Sequence, residues 1–347
     1  MFLGIEIGGT KLQIGVGSGK TRELVALERT AVRPEEGAQG VLNQIEEVGK
    51  RLIGQLDKQH DVKGIGIGFG GPIEPQAGRV ITSHQVAGWN DFALAQWCED
   101  TFGLPAVLAN DSDAAGLAEA MLGAGRGQSV VYYSNVGSGI GGALVIDAEI
   151  YRGGTGSAVE PGHLRPGLQA DRAEHTVESL ASGWGITSTV RAMLTEPISH
   201  PIDQLAQDGQ HSAPESLRQR LIEREDSLER DAADLLGRCE GQPDNLNTKI
   251  IADAATAGNE LAHDVFIHAA GVFGWAIAQA VTLLSPNVVV VGGGVSLAGE
   301  ELWFKPLRES VERYVFPPRK GSFKIVPAEL DEEVVVHGAL AMAAGRF

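Results

Sequence analysis

Leu108-Ala109-Asn110-Asp111-Ser112-Asp113-Ala114-Ala115-Gly116-Leu117-Ala118-Glu119 joins two kinds of sequence. Before it, the apolar run Pro105 to Ala109 reads as a strand. From Ala114 to Leu122 an Ala-rich run reads as a helix. Asn110 and Asp111 stand at the junction. A carboxylate at the end of a strand and before a helix lies where open α/β sheets place ligands. Asp111 or Ser112 capping the helix gives the same residues a structural role. The sequence on either side bears on that choice.

Upstream, Phe2 to Ile7 reads as a strand around Glu6 and turns at Gly8-Gly9-Thr10-Lys11. Leu12 to Val16 is a second strand, and Glu23 to Val32 a third, after the turn Gly17-Ser18-Gly19-Lys20. The first turn offers backbone N–H groups beside Thr10 and Lys11, which suits a phosphate, as it also suits a plain hairpin. Gly17 to Thr21 resembles the end of a P-loop but lacks its first glycine and is followed by a strand, so that motif is rejected. Gly40 to Gln59 has helical spacing. Ile65 to Phe69 is a buried strand ending in Gly70-Gly71-Pro72, and its match to G-x-G-x-x-G is accidental because no helix follows. Trp89-Asn90 lies in a loop before the helix Phe92 to Phe102.

Downstream the pattern repeats. Val130 to Val136 is a strand and Gly137-Ser138-Gly139-Ile140-Gly141-Gly142 a glycine turn. Ala143 to Ile146 and Ile150 to Arg152 complete a second meander. A strand follows these glycines too, so they do not open a dinucleotide fold. Two meanders, each with a glycine turn holding Thr or Ser, form an internal repeat. Two such turns across a cleft can grip a polyphosphate. Glu160-Pro161-Gly162-His163 and Glu178 follow; taken alone, His163 reads as a packing or hydrogen-bonding residue.

Thr195 to Thr248 has a different character, with four prolines and a charged helix carrying Leu217, Leu221, Leu228, Ala232 and Leu235 on one side. A solvated excursion is the expectation there. Ile250 to Ala262 and Asp264 to Leu284 read as helices, the second buried all round. Val288 to Val291 is an apolar strand that ends in Gly292-Gly293-Gly294, a passage suited to a nucleoside, before a helix from Glu300 to Arg313. Phe323 to Pro327 and the small-residue helix Val334 to Gly345 complete the chain, the latter able to return to the first unit.

The chain has 347 residues, enough for two cores. Its net charge of −17 argues against nucleic-acid and anionic-membrane surfaces, yet leaves room for a nucleotide held by a local nest. The two cysteines, Cys98 and Cys239, suggest reduced thiols. The start lacks the pattern of a signal peptide, and no segment is expected to span a membrane, so a cytoplasmic protein is expected.

In the order Glu6 to Lys11, Asn110 to Glu119, Gly137 to Gly142, Glu160-x-Gly162-His163 and Gly292 to Ser296, these motifs resemble the ROK family (repressor, open reading frame, kinase), and within it the sugar kinases. The resemblance implies two actin-like ATPase (ribonuclease H-like) α/β domains around a hinged cleft. They would comprise residues 1–113 plus 334–347, and residues 114–333 with the insertion at about 195–248. It implies ATP-dependent phosphorylation of a hexose, glucose to glucose 6-phosphate first, with N-acetylhexosamine kinase, fructokinase and non-catalytic regulator as alternatives.

By the same resemblance Asp111 would be the base. Asn90, Asn110, Asp111, Glu160, His163 and Glu178 would hold the sugar. Glu6, Gly8, Gly9, Thr10, Lys11, Gly137, Ser138, Gly139, Gly292, Gly293 and Gly294 would serve ATP. Magnesium would be held by the phosphates, with Glu6 reached through water, and a homodimer is implied. Two departures stand out. The family usually has Asp where Glu6 stands, and most members carry zinc-binding cysteines after the sugar-signature histidine. Leu164 to Val177 has no cysteine, so no structural zinc is expected. The remaining candidates near His163, namely Asp171, Glu174 and His175, would make an oxygen-rich set unlike a closed structural zinc site.

Overall fold

The computed structural model describes residues 1–56, 61–83, 85–154, 156–168, 170, 175–195 and 225–347. Strands β1 (Phe2–Ile7), β2 (Lys11–Gly17) and β3 (Leu24–Ala31) form an antiparallel meander. Strands β4 (Ile65–Phe69) and β7 (Ala106–Asn110) add to it in parallel, giving the order β3-β2-β1-β4-β7. A short hairpin, β5 (Ile73–Glu74) with β6 (Arg79–Val80), occupies the polar run after Pro72, where no element was expected.

The second sheet repeats this plan. Strands β8 (Val130–Val136), β9 (Ile140–Ile146) and β10 (Glu149–Ile150) form its meander, and β11 (Val288–Gly292) and β12 (Lys324–Pro327) its parallel pair, in the order β10-β9-β8-β11-β12. The internal echo in the sequence is therefore an echo in topology.

Strands β1 and β4 are two-faced. Leu3, Ile5, Ile7, Ile65, Ile67 and Phe69 join one core with Val41, Ile45 and Val48 of α1 (Gly37–Gly54). On the other face stand Gly4, Gly66 and Gly68. A side chain at Gly66 would overlap the backbone of Ala339, and one at Gly68 would meet Val335. These glycines let α10 (Val334–Arg346) lie directly on the sheet. The same closeness recurs where α10 crosses α3 (Asp111–Met121): a side chain at Gly338 would overlap the carbonyl of Ala114. Helix α3 packs in turn on β8 and β9, so α3 and α10 lie between the two sheets in one apolar cluster with Tyr133, Ala143 and Val290.

The largest core lies in the second unit, around α8 (Glu260–Leu284), with Phe266, Phe273 and Ile277 fully buried. By length and composition alone α8 could cross a membrane, contrary to the expectation that no segment is long enough. In this fold it packs against α7 (Thr248–Thr256) and α9 (Lys305–Tyr314). The break between α7 and α8 falls at Asn259, whose side chain caps α8 by accepting from Ala262 N, four residues before the expected break.

Helix α6 (Glu225–Arg238), from the insertion, is no solvated excursion. Leu228 and Leu235 are buried in the large core, and Asp231 Oδ2 accepts from the N–H groups of Glu260 and Leu261 at the start of α8. Leu217 and Leu221 lie outside the described residues. The helix expected from Glu300 instead begins with a 3₁₀ turn at Gly294–Ala298 and a π turn at Glu300–Phe304, before α9.

Candidate active site

The β7–α3 junction departs from the simple expectation. The cap of α3 is Asn110, whose Oδ1 accepts from Ser112 N at 2.8 Å; neither Asp111 nor Ser112 fills that position. Asp111 is the first helical residue, and its Oδ1 shares the Ser112 N–H at 2.8 Å. Its Oδ2 faces Gly70, where a Cβ would lie 3.2 Å away. Burial pushes the Asp111 carboxyl above the usual carboxylate range, and the Ser112 hydrogen bonds oppose that shift. Ser112 Oγ donates to Asn135 Oδ1 at 2.9 Å, tying the junction to the end of β8.

Of the other residues expected to hold the sugar, Glu160 lies within electrostatic reach of Asp111, and the rest are placed as follows. Asn110 Nδ2 donates to Gly71 O at 3.3 Å. Asn90, exposed on the loop before α2 (Leu94–Phe102), accepts from Thr82 Oγ1 at 3.1 Å. Glu178, on the short helix α4 (Val177–Ala181), accepts from Ile140 N at 2.8 Å, which seats it over the second glycine turn. Glu160 precedes and His163 closes the turn Pro161–His163, which packs on β9 and α4. Desolvation raises the Glu160 pKa; His163 and a Ser157 hydrogen bond oppose the shift, while Asp111 and Glu178 add to it. Val159, just before Glu160, holds φ of 66°, a left-handed conformation that strains a β-branched residue.

The glycine runs converge on the strand ends. In the first turn Gly8 N donates to Lys11 O at 2.9 Å and Thr10 O accepts from Val32 N at 3.0 Å. A side chain at Gly9 would overlap Gln85. Lys11 Nζ lies 3.3 Å from Glu6 Oε1 and donates to Glu332 O at 3.3 Å. Burial raises the pKa of Glu6, and Asp111 adds to the shift, while Lys11 and Gln13 oppose it. In the second turn Gly137 O and Ser138 O accept from Gly183 N at 2.8 Å and Trp184 N at 3.4 Å, at the start of α5 (Gly183–Thr195). Gly293, with φ of 89°, packs on the backbone of Val136, which brings the Gly292–Gly294 run against this turn.

Gln13 and the pair Asp113 and Arg152 stand outside the residues expected from the sequence. Asp113 is buried, with Arg152 Nε 4.0 Å from its Oδ2. Burial pushes its carboxyl up to about 7; Arg152 pulls the other way, and Glu160 and Asp111 raise it further. The run Asn-Asp-Ser-Asp was the available signal, since positions 110 and 113 are one helical turn apart.

A group that titrates near 7 when folded and near 3.8 when unfolded makes the folded state hold the extra proton between those values. Stability then falls as pH rises through that window. Asp113→Asn is expected to match the parent protein near pH 4 and to gain on it steadily up to pH 8 in urea titrations. An advantage independent of pH would contradict the assignment.

Among the described residues no cluster of three or more His, Cys, Asp or Glu side chains is placed to hold a metal ion. Asp171 and Glu174 lie outside the described residues; His175 is buried.

Two five-stranded sheets of identical order, with α3 and α10 between them, make this an actin-like ATPase fold. The chain belongs to the ROK family, whose model matches residues 2–346. It is 29% identical to a glucokinase of Halalkalibacterium halodurans, across 91% of this chain and 86% of that one. A ROK family glucokinase from Streptomyces griseus, solved in complex with glucose and AMPPNP, superimposes with a TM-score of 0.73 at 27% identity, over 99% of both chains. The xylose repressor of Caldicellulosiruptor bescii is 25% identical over 81% of this chain and 62% of its own length.

Proposed function

We propose that this protein is an ATP-dependent hexose kinase that phosphorylates glucose at its 6-hydroxyl. The observation that carries the reading is Asp111. It is a half-buried carboxylate released from capping duty by Asn110, with one oxygen held by Ser112 and the other facing the glycine Gly70. Near relatives named glucokinase support it.

In this mechanism Asp111 accepts the proton of the attacking hydroxyl, and burial strengthens it as a base. Asn90, Asn110, Glu160, His163 and Glu178 hold the other hydroxyls, since many fixed donors and acceptors select a polyol. The turns Gly8-Gly9-Thr10-Lys11 and Gly137-Ser138-Gly139 present backbone N–H groups to the phosphates, and Gly292-Gly293-Gly294 supports the nucleoside. The donor set fits magnesium held mainly by phosphates and water, because Glu6 is a single buried carboxylate beside the phosphate turn. Magnesium supplies charge neutralisation on the transferring phosphoryl group. A cytoplasmic homodimer without structural zinc completes the proposal.

A panel of sugars in a coupled ADP-release assay tests it. Glucose is expected to give the highest kcat/KM. Preference for an N-acetylhexosamine or fructose would reassign the substrate, and ADP release with none of them would favour a sugar-binding regulator. The same preparation, stripped with a chelator and restored with magnesium alone, is expected to keep its activity; loss restored only by zinc would overturn the zinc-free reading.

A further inference from the structure

We infer that Gln13 is a positioning residue for Glu6, holding that carboxylate in place and aimed at the nucleotide's metal; the inference rests on the kinase reading of this site. Gln13 is a polar residue at 0% exposure, followed by apolar residues and glycines to the end of its strand. Its position follows from the hairpin: Ile7 pairs with Leu12, so Glu6 pairs with Gln13. Both ends of its amide are spoken for. Oε1 accepts from Arg29 Nε at 2.8 Å, and Arg29 can only donate. Nε2 donates to Glu332 O at 2.7 Å, and a carbonyl can only accept.

These two partners fix which way the amide faces. The remaining N–H therefore points at Glu6 Oε2, 2.7 Å away. A donor locked on one oxygen of a buried carboxylate fixes the orientation of that side chain. Lys11 faces the other oxygen, Oε1, at 3.3 Å and is itself partly exposed, so it is free to turn toward a phosphate while Gln13 keeps hold of Glu6. Arg29 also pairs with Glu333, and Glu332 O belongs to the turn that opens α10. The metal-side carboxylate is thus referenced to the helix that lies between the two sheets.

Groups that orient a metal-facing carboxylate typically change metal affinity by about 10–100-fold when removed. Calorimetric titration of ADP, with and without magnesium, tests the inference in Gln13→Met, Glu6→Gln and the double variant, with glucose binding and thermal melting measured alongside. Gln13→Met is expected to weaken magnesium-dependent ADP binding by about 10-fold. Glucose binding and metal-free ADP binding should be unchanged, and the double variant no weaker than Glu6→Gln. Unaltered magnesium dependence, or losses that multiply in the double variant, would overturn it. If Gln13→Met fails to fold, Gln13→Asn, which keeps an amide but withdraws it from Glu6, is read by the same criteria. Absence of magnesium-dependent ADP binding in the parent protein would instead reject the kinase reading itself.

Discussion

Asp111→Asn is expected to lower kcat by about 10²–10⁴, equivalent to roughly 3–5 kcal/mol of barrier, while leaving glucose affinity within a few-fold of the parent. The amide keeps the shape of the side chain and can still meet a sugar hydroxyl, but it cannot take a proton at neutral pH. Folding should be little affected, because the cap of α3 is Asn110, and the Ser112 N–H retains that partner when the Asp111 oxygen becomes an amide oxygen. Steady-state kinetics with isothermal glucose titration separates the two effects. A variant that turns over normally would remove Asp111 from the chemistry and return it to the structural role its neighbour already fills.

The second large effect is expected in stability. Glu119 is fully buried two turns further along α3, and its carboxylate accepts three backbone N–H groups. Ala124 N reaches Oε2 at 2.8 Å, and Glu329 N and Leu330 N reach Oε1 at 2.9 Å each. It therefore ties α3 to the segment between β12 and α10. Glu119→Ala leaves three donors without their acceptor, at about 1–3 kcal/mol for each one that stays buried. Against a typical total of about 5–15 kcal/mol, a loss of about 3–6 kcal/mol would bring the protein close to its unfolding threshold. Urea denaturation at neutral pH measures it. A midpoint equal to the parent's would mean that water enters and replaces the carboxylate.

The strands and their order of appearance were legible because apolar runs and glycine turns alternate along both halves. Less legible was why the glycines stand where they do. In Ile65-Gly66-Ile67-Gly68-Phe69 the spacing imitates a nucleotide motif, yet its cause is α10, more than 260 residues later, pressing on that face of β4. Local sequence carries no trace of a partner so distant. The cap of α3 lies one or two residues before the expected Asp111 or Ser112, since Asn110, Asp111 and Ser112 are all good caps and only the backbone angles decide among them. The burial of α6 escaped notice for a related reason: Leu228 and Leu235 are too few to reveal a buried face until the start of α8 is seen against Asp231.

At the candidate site the carboxylates and glycine runs could be listed from sequence, whereas Arg152 and Gln13 could not. Their significance lies in what faces them. Gln13 becomes visible only when the hairpin register sets it opposite Glu6.

The seating of α10 on β1 and β4 has a consequence for biosynthesis. The first sheet is translated early, but the face marked by Gly4, Gly66 and Gly68 stays bare until residues 334–346 leave the ribosome. At ordinary elongation rates that wait is on the order of ten seconds or more. Throughout it the nascent amino-terminal half presents a groove shaped for a helix not yet made, and a chaperone that shields such a surface would be most useful to this chain during that interval.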